Sequence, residues 1–172
     1  MSRLSAAMDR LWLWAALLAS AAMLAIAHAF ETFGGLAPCH MCLQQRRAYW
    51  AAMAIAVIGL AAGRAAPRLT LRAWTCALLA AAFLAGGFIA ARQAGAEWRW
   101  WPGPASCSGA ASVTAADIAE LMRGGLAAAP RCDVAAWRFI GVSMAGWNAI
   151  ASAVLAGLSA WVAARGFRGA RA

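Results

Sequence analysis

The chain has few charged side chains and no lysine. Of its 172 residues only 12% are charged, whereas 65% are hydrophobic, and the 15 basic residues are all arginines. The net charge of +9 would suit a nucleic-acid-binding protein, but such a protein needs a solvated surface to carry its basic patch. This chain has too few polar residues to build that surface. We therefore expect an integral membrane protein that binds no nucleic acid.

Four apolar segments are each long enough to cross a membrane. They lie at about 11–30, 43–63, 73–91 and 141–164, and about 20 apolar residues span a hydrocarbon core of roughly 30 Å. The sequence predicts an all-α membrane protein in which a single domain, residues 1–172, forms a four-transmembrane-helix bundle. Arginines precede the first segment, as in a signal peptide, but the segment exceeds the about 7–15 apolar residues typical of one. We expect it to remain as a span.

Two loops would face the same side of the membrane, at about 31–42 and 92–140. The longer loop contains Thr114 and Asp117 in the spacing of a capping box, which predicts a short helix along the membrane surface. The cluster Trp98, Trp100 and Trp101 is typical of an aromatic belt at the level of the lipid headgroups.

The distribution of arginines predicts the orientation. The N-terminus, the turn at 64–72 and the C-terminal tail hold eight arginines against one acidic residue, an excess of +7. The opposite side carries only +2, with Arg46 and Arg47 at the start of the second span counted together with the two loops. Because basic residues favour the cytoplasmic side, we expect both termini in the cytoplasm and both loops outside. In a bacterium with two membranes the outer compartment is the periplasm, where disulfides form and persist.

The five cysteines occupy three settings. Cys39 and Cys42 lie in the first loop, Cys107 and Cys132 lie in the second, and Cys76 lies within the third span. A lone intramembrane cysteine usually behaves as a small apolar residue. The four outward-facing cysteines allow three pairings, and the sequence does not decide among them.

Cys39 and Cys42 form a Cys-x-x-Cys pair that suits a redox-active dithiol. Covalent haem attachment needs a histidine after the second cysteine, where this chain has Leu43. A structural zinc site needs two further ligands, usually a second close pair, and Cys107 and Cys132 are far apart in the chain. We therefore expect no metal and favour redox chemistry.

Cys42 is predicted to lie at the start of the second helix. Unsatisfied backbone N–H groups and the helix dipole stabilise a thiolate at that position. Arg46 follows one helical turn later on the same face, where it would polarise whatever Cys42 reacts with. Arg47 is expected to mark the membrane interface instead. The pattern predicts a nucleophilic Cys42 with Arg46 beside its reaction partner.

Cys107 and Cys132 have two interpretations. A structural disulfide closing a loop of this length would stabilise the fold by roughly 3–4 kcal/mol. Cys107, however, follows a Pro-Gly-Pro stretch and has small neighbours at 105–109, so the thiolate of another protein would reach it easily. The residues alone leave both interpretations open.

These motifs resemble the DsbB family, the inner-membrane quinone reductases that reoxidise the periplasmic thiol oxidase DsbA. The resemblance depends on four spans, on Pro38-Cys-x-x-Cys42 followed by Arg46, and on two more cysteines in a long second outward loop. The segments 100–107 and 132–144 also resemble the family's approaches to the third cysteine and the last span. The likeness covers nearly the whole chain.

The resemblance implies an enzyme that generates disulfides and passes electrons to a membrane quinone, ubiquinone rather than menaquinone. By position, a Cys107–Cys132 disulfide would oxidise a DsbA-like partner, and the Cys39–Cys42 pair would reoxidise it, through a Cys39–Cys107 link. Cys42 would pass two electrons to the quinone, and Arg46 would stabilise the charge that develops on the quinone oxygen.

Two positions depart from the family pattern. His40 lies between the cysteines, where its charge would shift the redox potential below about pH 6.5. Gln93 stands where close relatives often have a histidine, so another proton donor or water must serve if that histidine protonates the quinone. Two alternative functions are a specialised relative that serves one dedicated thiol oxidase and a non-enzymatic four-span scaffold with structural disulfides.

Overall fold

The structure is a computed structural model, and it describes residues 3–65, 69–103, 122 and 131–171. For residues 3–9 it describes the backbone alone. Cys107 and the surface helix predicted to begin at Thr114 lie outside the described residues.

Four long helices make up most of the described chain. They are α1 (Arg3–Thr32), α2 (His40–Ala65), α3 (Leu69–Glu97) and α4 (Met144–Arg171). Among the described residues, these are the helices whose length and apolar composition allow them to cross a membrane. The predicted all-α, four-span fold class is confirmed.

The helices pack around an interior of small and apolar side chains. α3 makes the most extensive contacts, with α4 and then with α2, whereas α1 packs chiefly on α2. Leu13, Ala16, Ala56 and Leu79 are at most 1% exposed in this interior, and Cys76 is buried among them. Small residues let helix backbones approach closely, which matters because lipid supplies no hydrophobic drive for helix association.

The helix ends differ from the predicted spans, and two of these differences affect the end of the bundle at which α3 finishes and α4 begins. α3 continues beyond the predicted end at 91 as far as Glu97, and α4 begins at Met144 rather than at 141. The apolar run stops at Arg92, but the helical hydrogen bonds continue past it. The additional turns of α3 carry Gln93 and Glu97, whose side chains are buried in the bundle.

A two-residue hairpin leads into α4. Strands β1 (Arg138–Phe139) and β2 (Val142–Ser143) pair antiparallel. Ile140 and Gly141 connect them with φ values of 51° and 76°, as the central residues of a type I′ turn require. The hairpin therefore reverses the chain tightly just before the last span.

Aromatic contacts hold the segment before the hairpin against the bundle. The rings of Phe30 in α1 and Trp137 lie 5.1 Å apart, and Trp137 stacks on Phe139 at 5.9 Å. This segment covers the end of the bundle at which α1 and α3 finish and α2 and α4 begin. That end is called the dithiol end below, because it carries Cys39 and Cys42.

Candidate functional site: a dithiol beside an apolar cavity

Cys39 and Cys42 face each other at the start of α2. The Cys39 thiol donates a hydrogen bond to Cys42 Sγ at 2.9 Å, and the backbone N–H of Cys42 points back to Cys39 Sγ at 3.4 Å. Both thiols are free. Because the helix begins at His40, its first turn holds the two sulfurs together, and a small side-chain movement closes them into a disulfide.

The two thiols differ in environment. Cys39 is only 4% exposed, whereas Cys42 is partly exposed. The hydrogen bond to Cys42, together with burial, raises the pKa of Cys39. Cys39 therefore keeps its proton, and Cys42 is the sulfur placed to accept hydrogen bonds and react as the nucleophile.

Cys132 from the segment before α4 packs in the same cluster. It is fully buried against Cys39 and Met41, and Cys42 and Ile89 border this cluster. Cys132 is disulfide-bonded, whereas Cys39 and Cys42 are not. The structure thus brings one cysteine of the second loop directly to the dithiol. Cys107 is not among the described residues.

A cavity of about 480 Å³ opens beside Cys42. Its apolar walls come from α1, α2, α4 and the segment before β1, and include Met23, Phe30, Leu36, Trp137, Phe139 and Trp147. The polar residues that line it are Gln45, Arg46, Tyr49, Gln93, Glu97, Arg131 and Asn148. Its volume and its mostly apolar lining with few polar groups are typical of a site for an apolar small molecule.

Arg46 reaches the cavity from α2 and is held by α1. Its Nη1 donates to Glu31 Oε2 at 2.5 Å and its Nη2 donates to the carbonyl oxygen of Ala27 at 3.1 Å. The Arg46 side chain is 14% exposed. A guanidinium has five N–H groups, and these bonds use two of them. Arg46 is therefore fixed in position and retains donors for a molecule in the cavity.

Gln93 joins the dithiol to a carboxyl group. Its Nε2 lies 3.6 Å from Cys42 Sγ and donates to Glu97 Oε1 at 3.2 Å. Gln93 is 5% exposed and Glu97 8% exposed. Gln93 is thus within hydrogen-bonding distance of the reactive sulfur.

A chain of buried hydrogen bonds runs from Gln93 across the bundle. Gln45 Nε2 donates to Gln93 Oε1 at 2.8 Å, and Asn148 Nδ2 donates to Gln45 Oε1 at 2.5 Å. Tyr49 donates to Asn148 Oδ1 at 2.5 Å and lies 3.0 Å from the Ser152 hydroxyl. These bonds connect α2, α3 and α4 and fix the orientation of all three amides.

The structure brings most, but not all, of the predicted site residues together. Cys39, Cys42, Arg46 and Cys132 meet at the dithiol end. His40 is the exposed first residue of α2 and does not line the cavity. Among the described residues, no group of three His, Cys, Asp or Glu side chains is placed to hold a metal ion.

Sequence reasoning missed five residues of the site: Glu31, Gln45, Tyr49, Glu97 and Asn148. One signal could have found most of them, because polar side chains inside membrane spans are rare and mark functional sites. Their partners lie in other helices, so the sequence does not show which of them meet.

The fold and the site define a class of protein: a multi-pass membrane oxidoreductase that works with a dithiol. The chain belongs to the DsbB family, since the family model "Disulfide bond formation protein DsbB" matches residues 9–162. The family forms disulfide bonds, and its members are typically linked to quinone in the inner membrane.

Two relatives illustrate the similarity. A disulfide bond formation protein B of Verminephrobacter eiseniae (strain EF01-2) is 32% identical over 159 residues, which cover 90% of this chain and 85% of the relative. Another from Azoarcus sp. (strain BH72) is 32% identical over 149 residues, covering 83% and 84%. No solved structure shows significant similarity to the chain.

Proposed function

We propose that the protein oxidises the dithiol of a DsbA-like periplasmic thiol oxidase and passes the electrons to a membrane quinone. The observation that carries this proposal is the Cys39–Cys42 pair, with sulfurs 2.9 Å apart, at the edge of an apolar cavity of about 480 Å³. The arginine distribution supports an orientation with both termini in the cytoplasm and the dithiol end facing the periplasm.

The residues of the cavity fit a quinone. A bound quinone supplies an acceptor for two electrons and two protons. Phe30 and Trp147 offer apolar surface for its ring, and Arg46, which uses two of its five N–H groups within the protein, offers N–H donors for an oxygen. Ubiquinone, rather than menaquinone, is our proposal for the molecule used.

The burial of Cys132 against Cys39 supports transfer of electrons between the two cysteine pairs. In the proposed sequence, the thiolate of the partner attacks Cys107 of a Cys107–Cys132 disulfide, and the partner leaves with its own cysteines joined. The reduced pair then attacks the Cys39–Cys42 disulfide, with Cys107 bonding to Cys39. Each exchange moves two electrons between sulfur atoms and consumes no other reagent.

Within the dithiol, the two sulfurs have different tasks. Cys39 is protonated and hydrogen-bonded to Cys42, so it loses its proton only as the disulfide closes. Cys42 borders the cavity and passes the electron pair to the quinone. Arg46, fixed by Glu31 and Ala27, stabilises negative charge that develops in the cavity, where water is scarce and electrostatic interactions are strong.

The proposal is tested with purified protein, ubiquinone and a reduced DsbA-like protein in the absence of oxygen. We expect the partner to be oxidised and quinol to form in equal amounts, and Cys39→Ser and Cys42→Ser to abolish both. A visible absorption band that appears on reduction and is lost in Cys42→Ser would further support contact between that sulfur and the quinone. A wild-type protein with its cysteines intact that oxidises no partner would contradict the proposal and favour a structural scaffold.

A further inference from the structure

Glu97 is a buried acid at the end of α3 that the thiol chemistry does not use. Its Oε1 accepts a hydrogen bond from Gln93 at 3.2 Å. Its Oε2 is buried and has no hydrogen-bond partner among the described residues. The side chain also lines the cavity. A carboxyl oxygen left unpartnered beside a cavity calls for a functional explanation, because buried polar atoms are nearly always bonded.

The surroundings of Glu97 suit an acid that holds and releases one proton. Two charged or titratable groups face it from other elements, the thiol of Cys42 on α2 and the guanidinium of Arg138 on β1. The hydroxyl of Ser143 on β2 is also adjacent. A buried carboxylate without full pairing is costly, whereas a neutral acid avoids that cost and has an O–H to donate.

Gln93 ties this acid to the reactive sulfur. The same amide nitrogen that donates to Glu97 lies 3.6 Å from Cys42 Sγ. Gln45 in turn donates to Gln93 Oε1 at 2.8 Å, which fixes the amide so that its nitrogen faces both groups. The carboxyl group and the thiol are therefore held on either side of one rigid side chain.

The other candidates for proton transfer are less suitable. Among the described residues that line the cavity, Glu97 carries the one carboxyl group. Arg46 is held by Glu31 and the carbonyl oxygen of Ala27, and His40 is exposed outside the cavity. Gln93 does not titrate.

We propose that Glu97 is the proton carrier of the dithiol site, an inference that rests on the proposed function. When Cys39 and Cys42 join, their bond forms as two electrons leave for the quinone and the two thiol protons are released. Glu97 gives its Oε2 proton to the reduced quinone and is reprotonated by the proton that the dithiol releases. Repeating the transfer delivers the second proton, so that dithiol and quinone become disulfide and quinol and Glu97 is unchanged.

The protonation of Glu97 is testable without turnover. In quinone-free, reduced protein, infrared spectroscopy should detect a protonated carboxyl C=O band that shifts in D₂O. We expect Glu97→Gln to remove this band. Asp133→Asn is the matched control, because Asp133 is paired with Arg131 at 2.7 Å and that pairing lowers its pKa. The control should keep the band. A wild-type spectrum without the band would overturn the inference.

Turnover supplies the second test. Because general acid–base catalysis contributes about 10²–10⁴-fold, Glu97→Gln should lower kcat for quinone reduction by at least about 100-fold. Its KM for quinone and its thiol–disulfide exchange with the partner should not change. Glu97→Asp, which keeps a carboxyl group, should recover part of the rate, and Asp133→Asn should behave as wild type.

Failure of this inference is distinguishable from failure of the proposed function. If wild type reduces quinone and Glu97→Gln does so at the same kcat, Glu97 is not the proton carrier, although the function stands. If wild type does not reduce quinone, the proposed function fails. Should Glu97→Gln not fold, the wild-type infrared band and the Glu97→Asp kinetics decide the question.

Discussion

The two ends of the helix bundle bury different kinds of side chain. At the dithiol end the buried set includes a polar network bonded across helices: Gln45, Tyr49, Gln93, Glu97, Asn148 and Ser152. Toward the opposite end, at which α2 ends and α3 begins, the buried set is mostly apolar: Leu13, Ala56, Leu60, Cys76, Leu79 and Val162. One chain thus uses two kinds of interior within the same four helices.

The apolar end contributes to helix packing, whereas the dithiol end carries the groups proposed to react. The apolar end needs only close contact between helices. Polar side chains in a membrane span are energetically costly, and they mark functional sites. At the dithiol end they surround a cavity and a pair of thiols. Cysteine illustrates the contrast, because Cys76 is a core residue whereas Cys42 borders the cavity.

The largest expected effect comes from changing a cysteine at each end. Cys42→Ser should reduce quinone reduction to the uncatalysed background, because a hydroxyl in place of this sulfur can neither donate the electron pair nor form a disulfide with Cys39. Cys76→Ala should leave turnover within about twofold of wild type and lower only stability, since it removes one buried atom. Quinol formation and thermal unfolding measure the two effects. A comparable loss of activity in Cys76→Ala would contradict the assignment of Cys76 to packing and of Cys42 to the reaction.

The neighbouring arginines of α2 provide the next test. Arg46→Ala should lower kcat/KM for quinone by about 100-fold, the range seen when one charge-stabilising donor is removed. Thiol exchange with the partner should be retained. Arg47→Ala is the matched control, because Arg47 is exposed and does not line the cavity. Equal losses in both variants would mean that Arg46 acts only at the membrane interface.

Alkylation should distinguish Cys42, Cys39 and Cys76 by rate. Cys42 should react with iodoacetamide at neutral pH at least about tenfold faster than Cys39, since thiolate character and access control the reactivity of cysteine. Cys39 is buried, and its hydrogen bond to Cys42 raises its pKa. Its reaction should therefore accelerate only as the pH rises well above the ordinary thiol range. Cys76 should not react in folded protein, and mass spectrometry of the labelled peptides identifies the order.

The smallest expected effect concerns stability. Tyr49→Phe removes the hydroxyl that bonds to Asn148 and contacts Ser152, which should destabilise the protein by about 1–2 kcal/mol. At the opposite end Ser159→Ala removes the acceptor of the Trp12 N–H, and it should cost only about 0.6 kcal/mol, the average for such a bond in a membrane bundle. Unfolding in mixed micelles measures both. A larger loss of stability in Ser159→Ala than in Tyr49→Phe would contradict the view that the polar network is tightly coupled.

The sequence was sufficient to predict the fold class because each span is a continuous apolar run, a local property. It also identified Cys39, Cys42 and Arg46, since their relationship is one of spacing within one helical turn. The role of Cys132 was suggested by the family resemblance, and its burial against Cys39 required the folded chain.

The rest of the site depends on contacts between helices. Gln45 meets Gln93, and Tyr49 meets Asn148, across different helices, and no local pattern specifies those pairs. Glu97 was also assigned to a loop, because the apolar run ends at Arg92 although α3 continues through Glu97. When the last turn of a helix is polar, hydropathy alone predicts a loop there, even where that turn faces the interior of the bundle.

The central claim is that the Cys39–Cys42 dithiol delivers electrons to a quinone in the cavity. The most direct measurement uses a Cys107→Ser/Cys132→Ser variant, because the second cysteine pair would otherwise take over the disulfide by exchange. The fully reduced variant is mixed with one equivalent of ubiquinone without oxygen, quinol is quantified, and disulfides are mapped by mass spectrometry. The account predicts one quinol per protein and a new disulfide that joins Cys39 to Cys42. Quinol formed while both of these thiols remain reduced would contradict it.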